Sequence, residues 1–186
     1  HQLKDVKVYF HGSFKETYQG HGTDKAIIGG LLGLKTDNSS IKESFKLAET
    51  EGFSFQFLPI ELDDVHPNTV KLEITDQNDT LTTIIASSIG GGNIIVTELN
   101  GTKIKLKGEY YTLITFHNDQ PGLIAKISEI LQIYNLNIAE MEVLRKQKGS
   151  QATAIINLDH KVEEHVLKLL RDIPGIDHLK LVKPLV

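Results

Sequence analysis

Tyr111-Thr112-Leu113-Ile114-Thr115-Phe116, followed by His117-Asn118-Asp119-Gln120-Pro121-Gly122-Leu123, decides the fold of the C-terminal half. Its first six residues are β-branched and aromatic types that suit a pleated strand. His117 to Gln120 then reads as a polar loop. Pro121 suits the first turn of a helix, where a missing N–H costs nothing. Leu123, Ile124, Ile127, Ile130 and Leu131 recur at helical spacing and define a buried stripe. That helix should end near Tyr134-Asn135. Asn137 to Leu144 reads as a strand, Lys148-Gly149 as a turn, and Ala152 to Leu158 as the returning strand. Val162 to Arg171 reads as a second helix with Val166, Leu169 and Leu170 inward. Pro174-Gly175 stops it, and Ile176 to Val182 makes the last strand. Two strand–helix–strand units of similar length predict an antiparallel sheet with both helices on one face.

Upstream of Gly108 to Tyr110 the pattern is different. Val6 to Phe10 alternates as a strand, and the polar stretch to Gly22 follows. Thr23-Asp24 is read as the cap of a helix over Lys25 to Leu32, in which Gly29-Gly30 suggests close packing. Ser39-Ser40 is read as the cap of another helix that ends at Gly52. Further strands are expected over Phe53–Leu58, Val70–Thr75, Thr80–Ser88, Ile94–Leu99 and Ile104–Leu106. Gly90-Gly91-Gly92-Asn93 and Asn100-Gly101 mark tight turns between them. The reading is a mixed α/β (α+β) chain of two small domains, 1–108 and 109–186.

Composition narrows the function. Hydrophobic residues make up 40% and charged residues 24% of the 186 residues, as in ordinary globular proteins. A net charge of -4 and the lack of a long basic block argue against nucleic-acid binding. The densest basic stretch, Arg145 to Lys148, reads as a hairpin turn. No apolar run is long enough to cross a bilayer, and no signal peptide is read, so a cytoplasmic location and no membrane partner are expected. Cysteine is absent, which removes thiolate metal ligands and cysteine nucleophiles. No residue is assigned a bond-making role and no metal site is expected, because the histidines and acids follow no ligand spacing. Tyrosine and phenylalanine are scattered along the sequence.

Three groups of polar residues stand out. His117, Asp119 and Gly122 lie where a strand end meets a helix N-terminus, whose free N–H groups favour a carboxylate. Asp119 equally suits a helix cap, and Asn137 equally suits a plain strand start. His11, Ser13, His21 and Thr23 form an anion-binding group, with small hydroxyls and glycines at a strand end. The third group is Ser88 with Gly90, Gly91, Gly92 and Asn93.

The His117–Leu123 segment, taken with Asn135-Leu136-Asn137-Ile138, resembles the ACT domain, a ferredoxin-like βαββαβ fold that senses amino acids. The resemblance implies a ligand held between two paired domains by residues at His117, Asp119 and Asn137. Asp119 stands where serine-binding versions carry asparagine, so L-serine or another amino acid is the implied effector. The segments His11-Gly12-Ser13-Phe14, Tyr18 to Asp24, His66-Pro67-Asn68-Thr69 and Ala86 to Asn93, in that order, resemble the β subunit of bacterial iron–sulfur-dependent L-serine dehydratase. That resemblance covers essentially the whole chain. It implies a first domain related to the allosteric substrate-binding domain of some phosphoglycerate dehydrogenases. It also implies an α subunit partner that carries the iron–sulfur cluster, and conversion of L-serine to pyruvate and ammonia. The turn from Ser88 to Asn93 would face that partner, and the ACT-like halves would pair as a homodimer. The family begins with an upstream Ser- and His-containing segment that this sequence lacks. A regulatory region of a phosphoglycerate dehydrogenase and a free-standing amino-acid-binding module are the competing readings.

Overall fold

The computed structural model describes residues 2–145 and 147–184. It divides into two compact units, His1–Leu106 and Lys107–Val186. Lys146, in the expected basic turn, lies outside the described residues.

The N-terminal unit is built on a six-stranded sheet. β1 (Leu3–Phe10) is flanked by β2 (Ser54–Pro59) and β3 (Thr69–Asp76). β4 (Leu81–Gly90), β5 (Asn93–Leu99) and β6 (Thr102–Leu106) follow outward from β3. Only β1 and β2 run parallel; each of the other neighbouring pairs is antiparallel. Parallel neighbours need a crossover. It is made by α1 (Phe14–Thr17), α2 (Thr23–Leu31), a 3-10 turn (Ser39–Glu43) and α3 (Ser44–Glu51).

Val6, Val8 and Phe10 alternate on the core side of β1 and pack with Ile28 of α2 and Ala48 of α3. The aromatic residues that look scattered in sequence converge here. Tyr18 stacks on Phe10 with centroids 4.2 Å apart, and Phe45, Phe55 and Phe57 form a second group against them. Topology causes this: β1 pairs with β2 in a register that sets Val6 beside Phe55 and Val8 beside Phe57.

The crossover differs from expectation in three places. The polar stretch after Phe10 contains the short α1, which carries Phe14 and Tyr18 one turn apart onto Phe10. Thr23 and Asp24 do not cap α2 but form its first turn, behind a left-handed Gly22. The cap before the third segment is Asn38, whose Oδ1 accepts the Ser40 N–H at 2.9 Å, not Ser39 or Ser40. A Cβ on Gly29 would meet Ile41 at 3.2 Å, so this glycine marks close packing, while Gly30 faces open space.

The two hairpin turns expected from the glycine-containing pairs are each two residues long. Gly91-Gly92 joins the Gly90–Asn93 pair, and Asn100-Gly101 joins Leu99 to Thr102, all four turn residues having positive φ. That is the turn whose twist matches the flanking strands.

The C-terminal unit has the order β10-β7-β9-β8, antiparallel throughout. β7 is Tyr111–Asn118, β8 Ile138–Arg145, β9 Gln151–Leu158 and β10 Ile176–Val182; α4 (Leu123–Ile133) and α5 (Glu164–Arg171) are the two crossovers. Leu113, Ala154, Ile156 and Leu158 share one sheet face and pack against Leu123, Ile127 and Leu131 of α4 and Val166, Leu167 and Leu170 of α5. Each of the leucine, isoleucine and valine side chains contributes roughly 1.5–3 kcal/mol by leaving water. The buried side of α5 is shifted from the expected one: Leu167 is 4% exposed, while Leu169 is 42% exposed. β7 also runs past Phe116 to Asn118, because His117 and Asn118 stay paired with Ala152 and Gln151 of β9. Asn137 lies just before β8 rather than in it.

Candidate functional site

In the N-terminal unit, three segments far apart in sequence meet at one end of the sheet. β1 delivers His11, Gly12 and Ser13; the loop before β3 delivers His66, Pro67 and Asn68; β4 delivers Ser87 and Ser88. The His11 N–H donates to the Thr69 carbonyl at 3.0 Å, the Ser13 N–H to that of Pro67 at 3.1 Å, and the Ser88 N–H to that of Asn68 at 2.9 Å. Gly12, at φ +58°, is required here: a Cβ on it would sit 2.4 Å from the Pro67 oxygen.

Side chains tie the same end together. The Ser13 hydroxyl donates to Asn68 Oδ1. Thr69 and Ser87 are buried, with their hydroxyls 2.7 Å apart. The Thr69 hydroxyl donates to the His66 carbonyl at 2.6 Å, so its single proton is spent and Ser87 must donate to Thr69. His11 and His66 each accept a backbone N–H at Nδ1, from Leu62 and Asn68 respectively, both at 3.1 Å. His11 Nδ1 also lies 3.5 Å from Glu61 Oε2. Its lone pair is taken by the Leu62 N–H, and Glu61 also pairs with Lys15.

The predicted anion-binding residues are split. His11 and Ser13 join the cluster just described. His21 and Thr23 sit beyond α1, their backbone N–H groups held by the Thr17 and Tyr18 carbonyls at 3.1 and 2.8 Å. The Ser88–Asn93 group is partly in the cluster. Ser88 is bonded to Asn68, whereas Gly90, Gly91, Gly92 and Asn93 form the exposed hairpin tip. Asn68 and Ser87 carry much of the cluster and were missed as site residues. Their one sequence signal was membership of the two polar segments at strand ends.

In the C-terminal unit, His117 points to the helix-covered face of β7 and is 2% exposed. Its Nδ1 lies 3.0 Å from Thr115 Oγ1. Burial pushes its ring below the ordinary histidine range, against smaller upward pulls from the Thr115 backbone bond, Asp119 and Asp177. Asp119 does not cap α4. Its Oδ2 accepts the Gly149 N–H at 2.9 Å and Arg145 Nη1 at 2.7 Å, and these two donors hold its carboxyl below the usual range. The Asn118 N–H donates to the Gly175 carbonyl at 2.9 Å, and Gln120 Nε2 to that of Pro174 at 3.1 Å. Gly122, at φ +85°, is the N-cap of α4 and faces open space.

Register separates Asn137 from this group. His117 aligns with Ala152 and Arg145, whereas Ile138 aligns with Leu158 and Tyr111. Asn137 is therefore at the other end of the sheet, about six strand steps of roughly 3.3 Å, or about 20 Å, away within one chain. There its Nδ2 donates to Asp159 Oδ2 at 2.7 Å.

Among the described residues no group of three or more histidines and acids could hold a metal ion, and no helix is long and apolar enough to cross a membrane. With no cysteine in the chain, no thiolate ligand comes from it.

The βαββαβ order, with a polar loop at a glycine-capped helix, makes the C-terminal unit an ACT domain, and residues 111–175 match that family. Residues 1–99 match the serine dehydratase beta chain family. The chain belongs to the serine dehydratase beta chain family. It is similar to the probable L-serine dehydratase beta chain of Bacillus subtilis (strain 168), 42% identical over 92% of this chain and 77% of that one. The L-serine dehydratase beta chain of Peptoniphilus asaccharolyticus is 33% identical over 96% of this chain and 81% of that one. A D-3-phosphoglycerate dehydrogenase of Bacillus subtilis (strain 168) is 27% identical over 97% of this chain but only 34% of its own length.

Proposed function

We propose that this chain is the beta chain of an L-serine ammonia-lyase, acting with an alpha chain that carries the iron–sulfur cluster. The observation that supports it most is the 42% identity, across 92% of this chain, to the probable L-serine dehydratase beta chain. The cluster at the end of β1 supports it too, because it gathers polar groups suited to an anionic substrate. The metal centre supplies the Lewis acid of such a reaction, and this chain supplies contacts to substrate and partner. The stretch from Ser88 through the hairpin tip to Asn93 is the surface assigned to the alpha chain. Anaerobic mixing with an alpha chain should yield pyruvate and ammonia from L-serine, and this chain alone should not. Robust deamination by the isolated chain would refute the assignment.

The first unit, 1–108, takes the role of an allosteric substrate-binding-like domain, and the second, 109–186, that of a sensor for L-serine or another amino acid. β8 is an edge strand. Antiparallel pairing of two copies about its midpoint sets Ile138 opposite the partner subunit's Arg145. Such pairing brings Asn137 of one copy to the Asp119–Arg145 end of the other and completes an effector site that one chain leaves divided. The free N–H groups at the start of α4 suit the effector's carboxylate, and the Asp119 Oδ1 suits its ammonium. Isothermal calorimetry with millimolar L-serine should give heat that Asp119→Ala and Asn137→Ala each abolish. Titrations unchanged by both substitutions would remove the site.

A further inference from the structure

The polar cluster at the end of β1 has an asymmetry in its hydrogen bonds. A backbone N–H can only donate. The Asn68 N–H to His66 Nδ1 and the Leu62 N–H to His11 Nδ1 therefore fix both Nδ1 atoms as acceptors. With Nδ1 accepting, Nε2 is the ring nitrogen that carries a proton to donate. Asn68 behaves alike: its Oδ1 accepts from Ser13, leaving Nδ2 with two hydrogens to give. The acceptors at His11 Nδ1, His66 Nδ1 and Asn68 Oδ1 are used inside the cluster, while three N–H groups on His11, His66 and Asn68 have no partner among the described residues. The strands that carry them are locked side by side, since His11 pairs with Thr69 and Ser13 with Pro67 through the backbone. His66 is exposed, and Asn68 and His11 are half-buried, so the donors are open to a ligand.

We infer that His11 Nε2, His66 Nε2 and Asn68 Nδ2 form a donor set for the carboxylate of a 2-amino or 2-oxo acid, and that neither histidine is the proton-abstracting base. A base at Nε2 needs a lone pair there, whereas the backbone bond at Nδ1 favours the tautomer that carries the proton on Nε2. A carboxylate needs only N–H donors, and hydrogen bonds to an ionised acceptor are the strong kind. This assignment rests on the serine-lyase reading, with the carboxylate being that of substrate or product. It also shifts the anion-binding group from His21 and Thr23 toward His66 and Asn68.

The test has two arms. In the first, the full chain with 15N-labelled histidine is studied near neutral pH by long-range proton–nitrogen correlation, with sodium pyruvate as the probe and sodium chloride as the control. His11 and His66 should show protonated Nε2 and bare Nδ1, and both Nε2–H signals and the Asn68 side-chain amide should move with pyruvate but not chloride. Nδ1-protonated rings, or signals that pyruvate leaves unmoved at 100-fold excess, would overturn the donor set. In the second arm the alpha-chain complex is assayed. His66→Gln keeps an N–H near the Nε2 position and should stay within a few-fold of wild type in kcat and KM. His66→Ala should raise KM by roughly ten- to a hundred-fold with kcat little changed, as loss of one hydrogen bond to a charged group implies. Loss of kcat in both variants would instead make His66 the base and sink the proposal. An inactive wild-type complex would count against the lyase reading alone, since the first arm reads the donor set without turnover.

Discussion

Gly12→Ala is the sharpest probe of the β1 end, because the structure separates its two costs. Gly12 has φ +58°, and Gly22, on the other side of α1, has φ +68°. Alanine pays about 1–2 kcal/mol in this left-handed region at either position. At Gly22 nothing lies within 4 Å of the added Cβ, whereas at Gly12 it would stand 2.4 Å from the Pro67 oxygen and 2.9 Å from its Cα. The neighbour is backbone and cannot rotate away. A retreat of about 0.6 Å would carry the Ser13 N–H to Pro67 oxygen bond, now 3.1 Å, out of hydrogen-bonding range. Overpacking of this kind costs a further ~1–3 kcal/mol. Gly12→Ala should therefore lose ~2–5 kcal/mol and Gly22→Ala only ~1–2 kcal/mol. Urea titrations followed by circular dichroism read both, and because both residues lie in the N-terminal unit they report on the same transition. Equal losses in the two variants, to within about 0.5 kcal/mol, would show that the His11–Ser13 and Pro67–Thr69 segments are not held in close contact.

Three further outcomes are expected. Leu170→Ala, at a fully buried site, should cost about 2–5 kcal/mol in the C-terminal unit, whereas Leu169→Ala should stay within about 0.5 kcal/mol; the reverse order in a urea titration would reject the α5 packing. His117 has its folded pKa depressed by burial, so its contribution is complete above the unfolded value near 6.5 and is lost as pH falls through the folded pKa; thermal melts from pH 7.5 to 5 should show this loss, and His117→Phe should flatten it, a variant as pH-sensitive as wild type counting against burial as the cause. Ile133 is 65% and Val143 44% exposed, so on the proposed β8 pairing the double change Ile133→Asp with Val143→Lys should spare the fold yet shift light-scattering mass from dimer to monomer, and an unchanged dimer would rule out that pairing.

Much of this fold was legible because its signals are local. Each of the ten strands among the described residues carries β-branched or aromatic residues, and Gly91-Gly92 and Asn100-Gly101 announce their turns by residue type. The errors lie where a choice depends on partners distant in sequence. On α5, Val166 and Leu170 fix the middle of the apolar stripe, but Leu167 and Leu169 flank it on opposite sides. Periodicity cannot choose between them; the side on which the sheet lies does. His117 looks like a loop residue because Asn118 and Asp119 follow it. It is a buried strand residue because β9 keeps pairing through Gln151, with Thr115 two residues back satisfying its Nδ1. Four-residue α1 has no periodicity to read, only the Phe14 and Tyr18 spacing.

The sites show the same limit at a larger scale. His11, His66 and Ser87 are separated by long stretches of chain, and only the order β1-β3-β4 puts their segments side by side. Sequence could flag each as part of a polar segment, but it could not say that Ser13 is bound to Asn68 or which histidine nitrogen is taken. For the ACT half it grouped His117, Asp119 and Asn137 by type and left their distance unstated. Register sets Asn137 at the far end of β8 from Arg145, so one chain cannot close this group around a small ligand. If the three act together, two copies must supply them, and the effector then binds only the paired form. Its affinity must accordingly rise with protein concentration, and the Ile133→Asp/Val143→Lys variant, though its His117, Asp119 and Asn137 are intact, should lose effector heat together with dimer mass. Full heat from a monomer would show instead that a single chain holds the ligand at the His117–Asp119 end alone.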